Sequence, residues 1–493
     1  MKTYEFKDLL DPESVAVVGS TSRNRFYFLR SLVSAGFKGA IYPVNPNVKA
    51  AFGHKFYPSL LDVPDKVDLV ISEVPARVTP RIIEECVKKE AKGVVVFASG
   101  FSEAGTEEGV RLEKEIVRIA GDGGVRIIGP NCLGIYHPEH GLAFRPDLPR
   151  DPGPVGFVSQ SGGHAINFAL IGKVTGLRFS TVVSFGNGCD VDAAEVLDYL
   201  TDDPKTKVIS VYVEGVRDGR RFFSSLKRAA ARKPVVVWKG GRTEVGSRAV
   251  ASHTGSLAGS PKVWESVIQQ CNAVPVKSFY EMVDTVLAFM FCPRVEGRRV
   301  GLVSISGGSG VVNSDYCSEV GLEVPQLSEN AREKMSRAIQ NVGTSVANPI
   351  DLAGSFMSPI AVKTVFETLK EEDNIDSVIF ELAVQYPSFY ADFIDDPSLS
   401  VKFYNMLVEE CREAGKVKPV LVAIPQVAYE EAQRYVRDVF VQAKLPVFPS
   451  VERAANALKN IINYYTKNTT NQSLHTATSS LTAEKSKEAK TRY

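Results

Sequence analysis

Two matching nine-residue stretches decide the fold: Val155-Gly-Phe-Val-Ser-Gln-Ser-Gly-Gly163 and Val300-Gly-Leu-Val-Ser-Ile-Ser-Gly-Gly308. Each is a short apolar run followed by serine and two glycines, which is typical of a β-strand that turns into the start of an α-helix. Seven of the nine positions are identical, which favours a duplicated structural unit. Serine and glycine also suit such turns for local reasons, so independent use of the same turn chemistry is the alternative.

Short β-rich apolar runs alternate with helix-length amphipathic stretches on both sides of these two phrases. This alternation indicates βαβ units and parallel sheets. The predicted strands cover residues 15–19, 40–45, 68–74, 93–99, 126–131, 155–160, 180–185, 208–213, 234–239, 299–304, 377–383, 419–425 and 446–451. A helix over 452–465 closes the pattern.

The chain is therefore predicted to be an α/β protein with a Rossmann-like domain followed by two flavodoxin-like, doubly wound parallel-sheet domains. We expect the domains at residues 1–148, 149–294 and 295–466. Residues 145–154 contain four prolines and are predicted to be a linker. Residues 467–493 have almost no large apolar side chain and are predicted to be a disordered tail.

The composition excludes several classes of protein. A net charge of +1 gives no overall field that would recruit nucleic acid or an anionic membrane. No apolar run reaches the roughly 18 residues of a membrane span. The seven cysteines are scattered without a CxxC pair, so we expect no zinc site, no disulfide framework and a cytoplasmic location. No metal site is predicted, and His137 with His140 is interpreted as an exposed polar turn.

Two glycine-containing turns are candidates for binding phosphate. Gly19-Ser-Thr-Ser-Arg23 follows the first predicted strand, and Ser159-Gln-Ser-Gly-Gly163 follows the first strand of the second domain. Backbone N–H groups at such helix starts can hold an anion, although each turn can also be purely structural. NAD is not favoured, because Asn45 stands where an acidic ribose ligand is expected.

His253 is the candidate nucleophile. It lies at the centre of the small, polar stretch 247–259, which we interpret as a flexible loop. An imidazole is a competent nucleophile near neutral pH when a partner holds its second nitrogen. Glu214, at the end of the predicted strand 208–213, is the best candidate for this partner. A solvated loop histidine without a role is the alternative.

Several motifs resemble one known family. Those of the first domain are similar to the CoA-binding domain of succinyl-CoA synthetase α subunits, and more closely to ADP-forming acetate–CoA ligases: Val15–Gly19, Tyr42-Pro-Val-Asn-Pro46, Phe97-Ala-Ser-Gly-Phe-Ser-Glu-Ala-Gly105 and Ile128-Gly-Pro-Asn-Cys-Leu-Gly134. Those of the later domains resemble the family's ligase domains: Ser159-Gln-Ser-Gly-Gly163, Ser184-Phe-Gly-Asn-Gly188, Val213-Glu-Gly215, Ser252-His-Thr-Gly-Ser-Leu-Ala-Gly259, Ser306-Gly-Gly-Ser-Gly310 and Asn348-Pro-Ile-Asp-Leu352.

The resemblance implies an acid–CoA ligase that links acyl-CoA, phosphate and ADP through an acyl phosphate and a phosphohistidine. By motif position, His253 is phosphorylated and Glu214 orients it. The residues implied to bind phosphate and the acyl group are Ser159, Ser161, Gly162, Gly163, Gly186, Asn187 and Gly188. The residues implied to bind CoA are Gly19, Ser20, Thr21, Ser22, Arg23, Val44, Asn45, Lys49, Val74, Pro75, Ala98, Ser99, Gly100 and Asn131.

The chain departs from the family at its first turn. Asn24-Arg-Phe-Tyr-Phe28 replaces the usual small residues, and Asn47 replaces a lysine, with Lys49 nearby. No ATP-grasp domain is recognised in these 493 residues. We therefore expect an ATP-grasp β subunit that carries most of the ADP, ATP and Mg²⁺ contacts, in an α2β2 hetero-oligomer that acts on a small carboxylic acid. A non-catalytic CoA-binding regulatory or scaffold protein is the alternative.

Overall fold

The computed structural model describes residues 4–254, 259–340 and 342–467, and for residues 251–254 it describes the backbone alone. The predicted tail therefore lies outside the described residues. The chain divides into two compact units. Unit 1 comprises Met1–Lys173 and Leu177–Met282, and unit 2 comprises Val174–Gly176 and Val283–Tyr493.

The first sheet of unit 1 has five parallel strands in the order β2-β1-β5-β6-β7. Its central strands β1, β5 and β6 are almost wholly apolar and buried on both faces, as is typical of a sheet covered by helices on each side. The elements in chain order are η1 (Phe6–Leu9), β1 (Ser14–Val18), α1 (Tyr27–Ala35), β2 (Ala40–Val44), β3 (Ala50–Ala51), β4 (His54–Lys55), η2 (Leu60–Asp62), β5 (Leu69–Ser72), η3 (Ala76–Val78), α2 (Thr79–Lys88), β6 (Gly93–Val96), η4 (Ser102–Ala104), α3 (Glu107–Gly123) and β7 (Arg126–Ile128).

The second sheet of unit 1 has six strands in the order β13-β12-β11-β9-β10-β8. Five are parallel, and β8 pairs antiparallel with β10. The elements are β8 (Gly134–Tyr136), η5 (Pro138–His140), β9 (Pro152–Ser159), α4 (Gly162–Thr175), β10 (Phe179–Ser184), α5 (Ala193–Asp202), β11 (Val208–Val213), α6 (Gly219–Ala230), β12 (Val235–Lys239), α7 (Glu244–Thr254), α8 (Pro261–Gln270), β13 (Val274–Val276) and α9 (Phe279–Phe291). The last helix runs from unit 1 into unit 2.

Hydrogen bonds and ion pairs tie the two sheets of unit 1 together. The N–H of Asn187, after β10, donates to the carbonyl of Pro130, after β7, at 3.0 Å. Arg126 opens β7, and its guanidinium pairs with Asp190 at 2.9 Å and with Glu195 at 2.8 Å. These pairs are mostly buried, so solvent screens them weakly. The Asn187–Pro130 bond joins the carboxyl ends of the two sheets, and the Arg126 pairs join the amino end of β7 to the segment after β10.

Unit 2 contains a third sheet, whose five parallel strands are ordered β15-β14-β16-β17-β18. A large apolar core, including Phe356, Phe366 and Phe380, packs against it. The elements are β14 (Val300–Ser304), α10 (Gly307–Glu319), α11 (Glu329–Ser336), β15 (Ile350–Asp351), η6 (Ala353–Met357), α12 (Pro359–Glu371), β16 (Ser377–Glu381), α13 (Gln385–Phe393), α14 (Pro397–Gly415), β17 (Val420–Ala423), α15 (Glu430–Gln442), β18 (Val447–Phe448) and α16, residues 451–467.

The α/β fold class is confirmed. All thirteen predicted strands are present, within a few residues of the expected bounds. Counted along the chain, each of the three five-strand parallel sets has the order 2-1-3-4-5, which is the flavodoxin-like order. The equal order of the second and third sheets agrees with duplication of one structural unit. The domain boundaries stay predictions.

Three local expectations were wrong. The predicted linker over 145–154 ends inside a strand, because Pro152 and Pro154 open β9 before its pairing begins at Val155; proline is tolerated at the first positions of a strand. The short strands β3, β4, β8, β13 and β15 were missed. The predicted loop over 247–259 is helical up to Thr254, in α7.

Alanines and an Arg248–Glu244 ion pair at i,i+4 spacing support α7. In the described part of the chain, none of the helices combines the length and the hydrophobicity that crossing a membrane requires.

Candidate functional site

The carboxyl ends of the first and second sheets border a cavity of about 570 Å³, here called the central cavity. Its lining comes from the loops that follow β5, β6, β7 and β10 and from the turn between β9 and α4. Parallel sheets bind ligands at their carboxyl ends, where the strand order reverses. The order reverses between β1 and β5 in the first sheet and between β9 and β11 in the second.

Two further cavities adjoin the central cavity. The first, of about 320 Å³, shares Val74 and Pro75 with it and extends to the loops after β1 and β2. The second, of about 370 Å³, shares Gln160 and Asn187 with it and extends to the loop after β11. The three cavities therefore form a continuous series along the carboxyl edges of both sheets.

The structure brings together part of the predicted CoA-binding set. Five of these residues line the central cavity: Val74, Pro75, Ala98, Ser99 and Asn131. The 320 Å³ cavity adds Gly19, Val44 and Asn45. The others lie outside the lining of the three cavities: Ser20, Thr21, Ser22, Arg23, Lys49 and Gly100. Ser20 is fully buried, and its carbonyl accepts the side-chain amide of Asn45 at 3.0 Å.

The unusual first turn is closed by Asn24. Its side-chain oxygen accepts the N–H groups of Thr21 and Phe26 at 3.2 and 3.0 Å, and its amide donates to Glu73 at 2.9 Å. Phe26 adopts a left-handed conformation with φ 53°, so α1 begins only at Tyr27. Burial raises the pKa of the Glu73 carboxyl, which lines the central cavity, to about 7.

The turn after β9 presents the start of α4 to the central cavity. Ser161, Gly162 and Gly163 line the cavity wall. The first N–H groups of a helix lack intrahelical acceptors and carry a partial positive charge, so this turn can hold a phosphate. Ser159 is fully buried, and its hydroxyl donates to the carbonyl of Ser161 at 2.7 Å, so it closes the turn.

Gly186, Asn187 and Gly188 form the facing turn. A Cβ on Gly186 would lie 2.2 Å from the carbonyl oxygen of Pro130, so this position requires glycine for close approach. Asn187 lines the central and 370 Å³ cavities, and Gly188 lines the latter. The cavity linings place this turn at the cavity edge, and the close approach of Gly186 to Pro130 places it against the first sheet.

Two carboxylates hold the side chain of Asn187. Its amide donates to Glu103 at 2.5 Å and to Glu113 at 2.9 Å. Burial acts to raise the pKa of Glu113, but hydrogen bonds from Ser102, Arg217 and Asn187 outweigh it and hold the pKa below its usual value. The amide of Asn187 is therefore engaged by two carboxylates, which fix the position of the turn, and its contact with phosphate or the acyl group stays a prediction.

Glu214 follows β11 and is 6% exposed. It lies behind the cavity wall, where Gln160 connects it to the central cavity. The side-chain oxygen of Gln160 accepts the N–H of Glu214 at 2.7 Å and that of Gly215 at 3.2 Å. The hydroxyl of Tyr212 donates to the carboxylate of Glu214 at 3.0 Å. Glu214 is thus held through its backbone and through its carboxylate.

Gln160 and Tyr212 are positioning residues that the sequence motifs did not identify. Gln160 lies inside a motif that was interpreted only through its serines and glycines. Tyr212 lies two residues before Glu214, on the same face of β11. This spacing is the signal in the sequence that could have identified Tyr212.

His253 lies in α7, and its side chain is outside the described residues. The backbone of α7 runs beside η4, which carries Ser102 and Glu103. Ser102 lines the 370 Å³ cavity, and Glu103 binds Asn187. The segment that carries His253 therefore lies at the same edge of unit 1 as the cavities.

One cluster could hold a metal by its donor types. One ring nitrogen each of His137 and His140 and a carboxylate oxygen of Glu139 lie within 4.8 Å of one another. Each group already has a partner: His137 bonds Thr181, His140 bonds Asp11 and Glu139 bonds Lys205. The expectation of an exposed turn was wrong for His137, which is 6% exposed and whose pKa burial lowers to about 4.

Comparison with known proteins gives consistent matches. Three family models match the chain: a CoA binding domain over 13–138, a succinyl-CoA ligase like flavodoxin domain over 152–289 and a ligase-CoA domain over 300–459. The chain is 35% identical to the acetate–CoA ligase (ADP-forming) I subunit alpha of Pyrococcus furiosus, over 92% of this chain and 97% of that relative.

A longer relative and a solved structure agree with this. The chain is also 35% identical to the acetate–CoA ligase (ADP-forming) II of Archaeoglobus fulgidus, over 93% of this chain and 67% of that relative. The solved dinucleotide forming acetyl-coenzyme A synthetase 1 of Ca. Korarchaeum cryptofilum, in complex with phosphate and ADP, matches with a TM-score of 0.80 and 32% identity, over 94% of this chain and 99% of that one.

Proposed function

The chain belongs to the family of ADP-forming acetate–CoA ligases, as a counterpart of their α subunits, and we propose that it interconverts acyl-CoA, ADP and phosphate with a carboxylic acid, CoA and ATP. One observation carries the proposal. Residues implied to bind CoA and residues able to cradle phosphate line the same 570 Å³ cavity. A thioester and an inorganic phosphate held there would have their reacting atoms close together.

The CoA molecule is proposed to follow the series of cavities. Its nucleotide end would lie at Gly19 and Asn45 in the 320 Å³ cavity, and its thiol end would pass Val74 and Pro75 into the central cavity. The lining shared by the two cavities supports a continuous path between them. Asn131 would then stand near the thioester.

The chemistry is proposed to use three displacements. A phosphate oxygen held at Ser161–Gly163 attacks the thioester carbonyl carbon, and CoA leaves as the thiolate. A ring nitrogen of His253 then attacks phosphorus, and the carboxylate leaves. Finally a terminal phosphate oxygen of ADP attacks the phosphohistidine, and the imidazole leaves. Glu214 is proposed to orient His253 during the second step. The anchors on Glu214 support this role, because an orienting group must itself be fixed.

The nucleotide half is proposed to belong mainly to an ATP-grasp β subunit that binds ADP, ATP and Mg²⁺ in an α2β2 hetero-oligomer. The Pyrococcus furiosus relative is named a subunit alpha, which supports a partner subunit. The Archaeoglobus fulgidus relative is longer, and about a third of it lies outside the match to this chain, which leaves room there for the nucleotide half. We propose the cytoplasm as the location because the cysteines in the described chain are unpaired.

The proposal is tested by labelling the purified chain with acetyl-CoA and ³²P-phosphate. An acid-labile, base-stable label is expected on the wild type, because a P–N bond hydrolyses in acid. His253→Asn should abolish the label, whereas His54→Asn, a matched change in β4, should retain it. CoA binding by calorimetry without any label would instead support a non-catalytic CoA-binding protein. A labelled His253→Asn variant would refute the assignment of the nucleophile.

A further inference from the structure

Lys239 is a buried cation that the reaction described above does not use. It is the last residue of β12 and is 4% exposed. Its ammonium donates to the carbonyl of Glu214 at 2.7 Å and to the carbonyl of Gly240. The ammonium also lies 5.1 Å from the centre of the Trp264 ring. Lys239 therefore contacts the backbone of Glu214, whose carboxylate is proposed to orient His253.

Burial of this ammonium is unfavourable for the fold. Removing a charge from water costs free energy that neutral carbonyl acceptors only partly return. The shift of the Lys239 pKa agrees, because burial lowers it to about 8 although the charge of Glu214 acts to raise it. An apolar side chain at the end of β12 would avoid this cost, so the lysine needs an explanation other than packing.

The third sheet provides the comparison. Its strands have the same order, and the pairing registers make Ile424 the equivalent of Lys239 and Ala383 the equivalent of Glu214. Ile424 is 8% exposed, so the same position is filled there by a buried aliphatic side chain. The sheet architecture therefore accepts an apolar residue at this position. The lysine occurs where the neighbouring strand is followed by a glutamate.

We infer that Lys239 is a positioning residue for the phosphorylation of His253, fixing the peptide that carries the Glu214 carboxylate. This inference rests on the proposed function. Gln160 holds the N–H side of Glu214, Lys239 holds its carbonyl side and Tyr212 holds its carboxylate. Together they fix the backbone of Glu214 on both sides and one oxygen of its carboxylate.

Gly240 allows this arrangement to be compact. A Cβ at position 240 would lie 2.7 Å from the Tyr212 hydroxyl and 3.3 Å from Cγ of Glu214. The residue after Lys239 must therefore lack a side chain if the glutamate and the tyrosine are to keep their contact. Lys239 and Gly240 therefore both lie directly against Glu214.

Lys239→Met tests the inference, because it preserves the length of the side chain and removes the charge. With acetyl-CoA and ³²P-phosphate, the rate of phosphohistidine formation is expected to fall about 10- to 100-fold, the effect of losing a charged hydrogen bond. Affinity for CoA should not change, and the thermal unfolding midpoint should be unchanged or higher. Ile424→Met, at the equivalent strand end, is the matched control and should label at the wild-type rate.

The outcomes separate positioning from packing. Labelling of Lys239→Met at the wild-type rate would overturn the inference, and so would a parallel loss of rate, CoA affinity and unfolding midpoint. Should Lys239→Met fail to fold, Lys239→Gln, which keeps one N–H donor without charge, decides the question by the same measurements. Failure of both variants to fold would assign the lysine to the fold and overturn the inference. A wild type without any label would overturn the proposed function itself.

Discussion

The turn after β9 in unit 1 and the turn after β14 in unit 2 are built by the same hydrogen bond. The hydroxyl of Ser159 donates to the carbonyl of Ser161 at 2.7 Å, and the hydroxyl of Ser304 donates to the carbonyl of Ser306 at 3.1 Å. Both turns lead into a helix that begins with two glycines. The local sequence therefore produces the same strand–turn–helix geometry twice.

The surroundings of the two turns differ in chemistry. The pairing registers of the two sheets give equivalent positions on the neighbouring strands. Four polar or charged positions around the first turn change at the second: Gln160 becomes Ile305, Glu214 becomes Ala383, Lys239 becomes Ile424 and Ser184 becomes Asp351. A glycine-rich turn at a helix start is thus only a framework, and the flanking strands decide which chemistry it can support.

The change from Ser184 to Asp351 bears directly on anion binding. A Cβ on Gly162 would lie 3.7 Å from the Ser184 hydroxyl, whereas one on Gly307 would lie 3.2 Å from the Asp351 carboxylate. The start of α4 therefore faces a neutral donor, and the start of α10 faces an anion. Like charges repel, so the second turn is the poorer phosphate site of the two.

The largest effect is expected from Glu214, because its equivalent in unit 2 is Ala383, which has no carboxylate. Glu214→Gln should slow phosphohistidine formation about 1,000- to 10,000-fold, as when the carboxylate that orients a catalytic histidine becomes its amide. The matched change is Glu381→Gln at the end of the equivalent strand β16, which should not alter the rate. Quench-flow labelling with ³²P-phosphate measures both variants. An equal loss in the two would mean that the copies do not differ in function.

The next prediction makes the first copy resemble the second. Ser184→Asp places a carboxylate beside the start of α4 and should weaken phosphate use about 100-fold, the scale of unfavourable like-charge placement. The expected signature is a raised KM for phosphate with unchanged calorimetric affinity for CoA. Asp351→Ser is the reciprocal control and should leave labelling unchanged. An unaltered KM for phosphate in Ser184→Asp would exclude the start of α4 as the phosphate site.

The same comparison explains how much the sequence alone reveals. The strands were predictable because they are short, continuous apolar runs bounded by glycine and proline. The helix α7 was mistaken for a loop because Ser247, Ser252 and Thr254 are weak helix formers, although alanines and the Arg248–Glu244 pair support the helix. The two-residue strand β15 carries too few residues for any period to be recognised.

The site was predictable only where it is local in sequence. Gly162 and Gly163, shortly after an apolar run, indicate a helix start from the local sequence alone. Gln160 and Lys239 act on Glu214 across neighbouring strands, 54 and 25 residues away. Such contacts depend on strand order and register, which a single sequence does not specify. The implied phosphate contact of Ser159 stays a prediction, and its buried hydroxyl favours a structural role.

The smallest effect concerns the hydroxyl that both copies share. Ser159→Ala and Ser304→Ala each remove one hydrogen bond from serine to a carbonyl, which should lower the free energy of unfolding by about 1 kcal/mol in each case. Because each serine hydroxyl is used by the bond that closes its own turn, phosphohistidine formation should be unchanged in both variants. Thermal unfolding and ³²P labelling of the two variants check this. A loss of label in Ser159→Ala alone would make that hydroxyl a phosphate ligand and would add a fifth difference between the two turns.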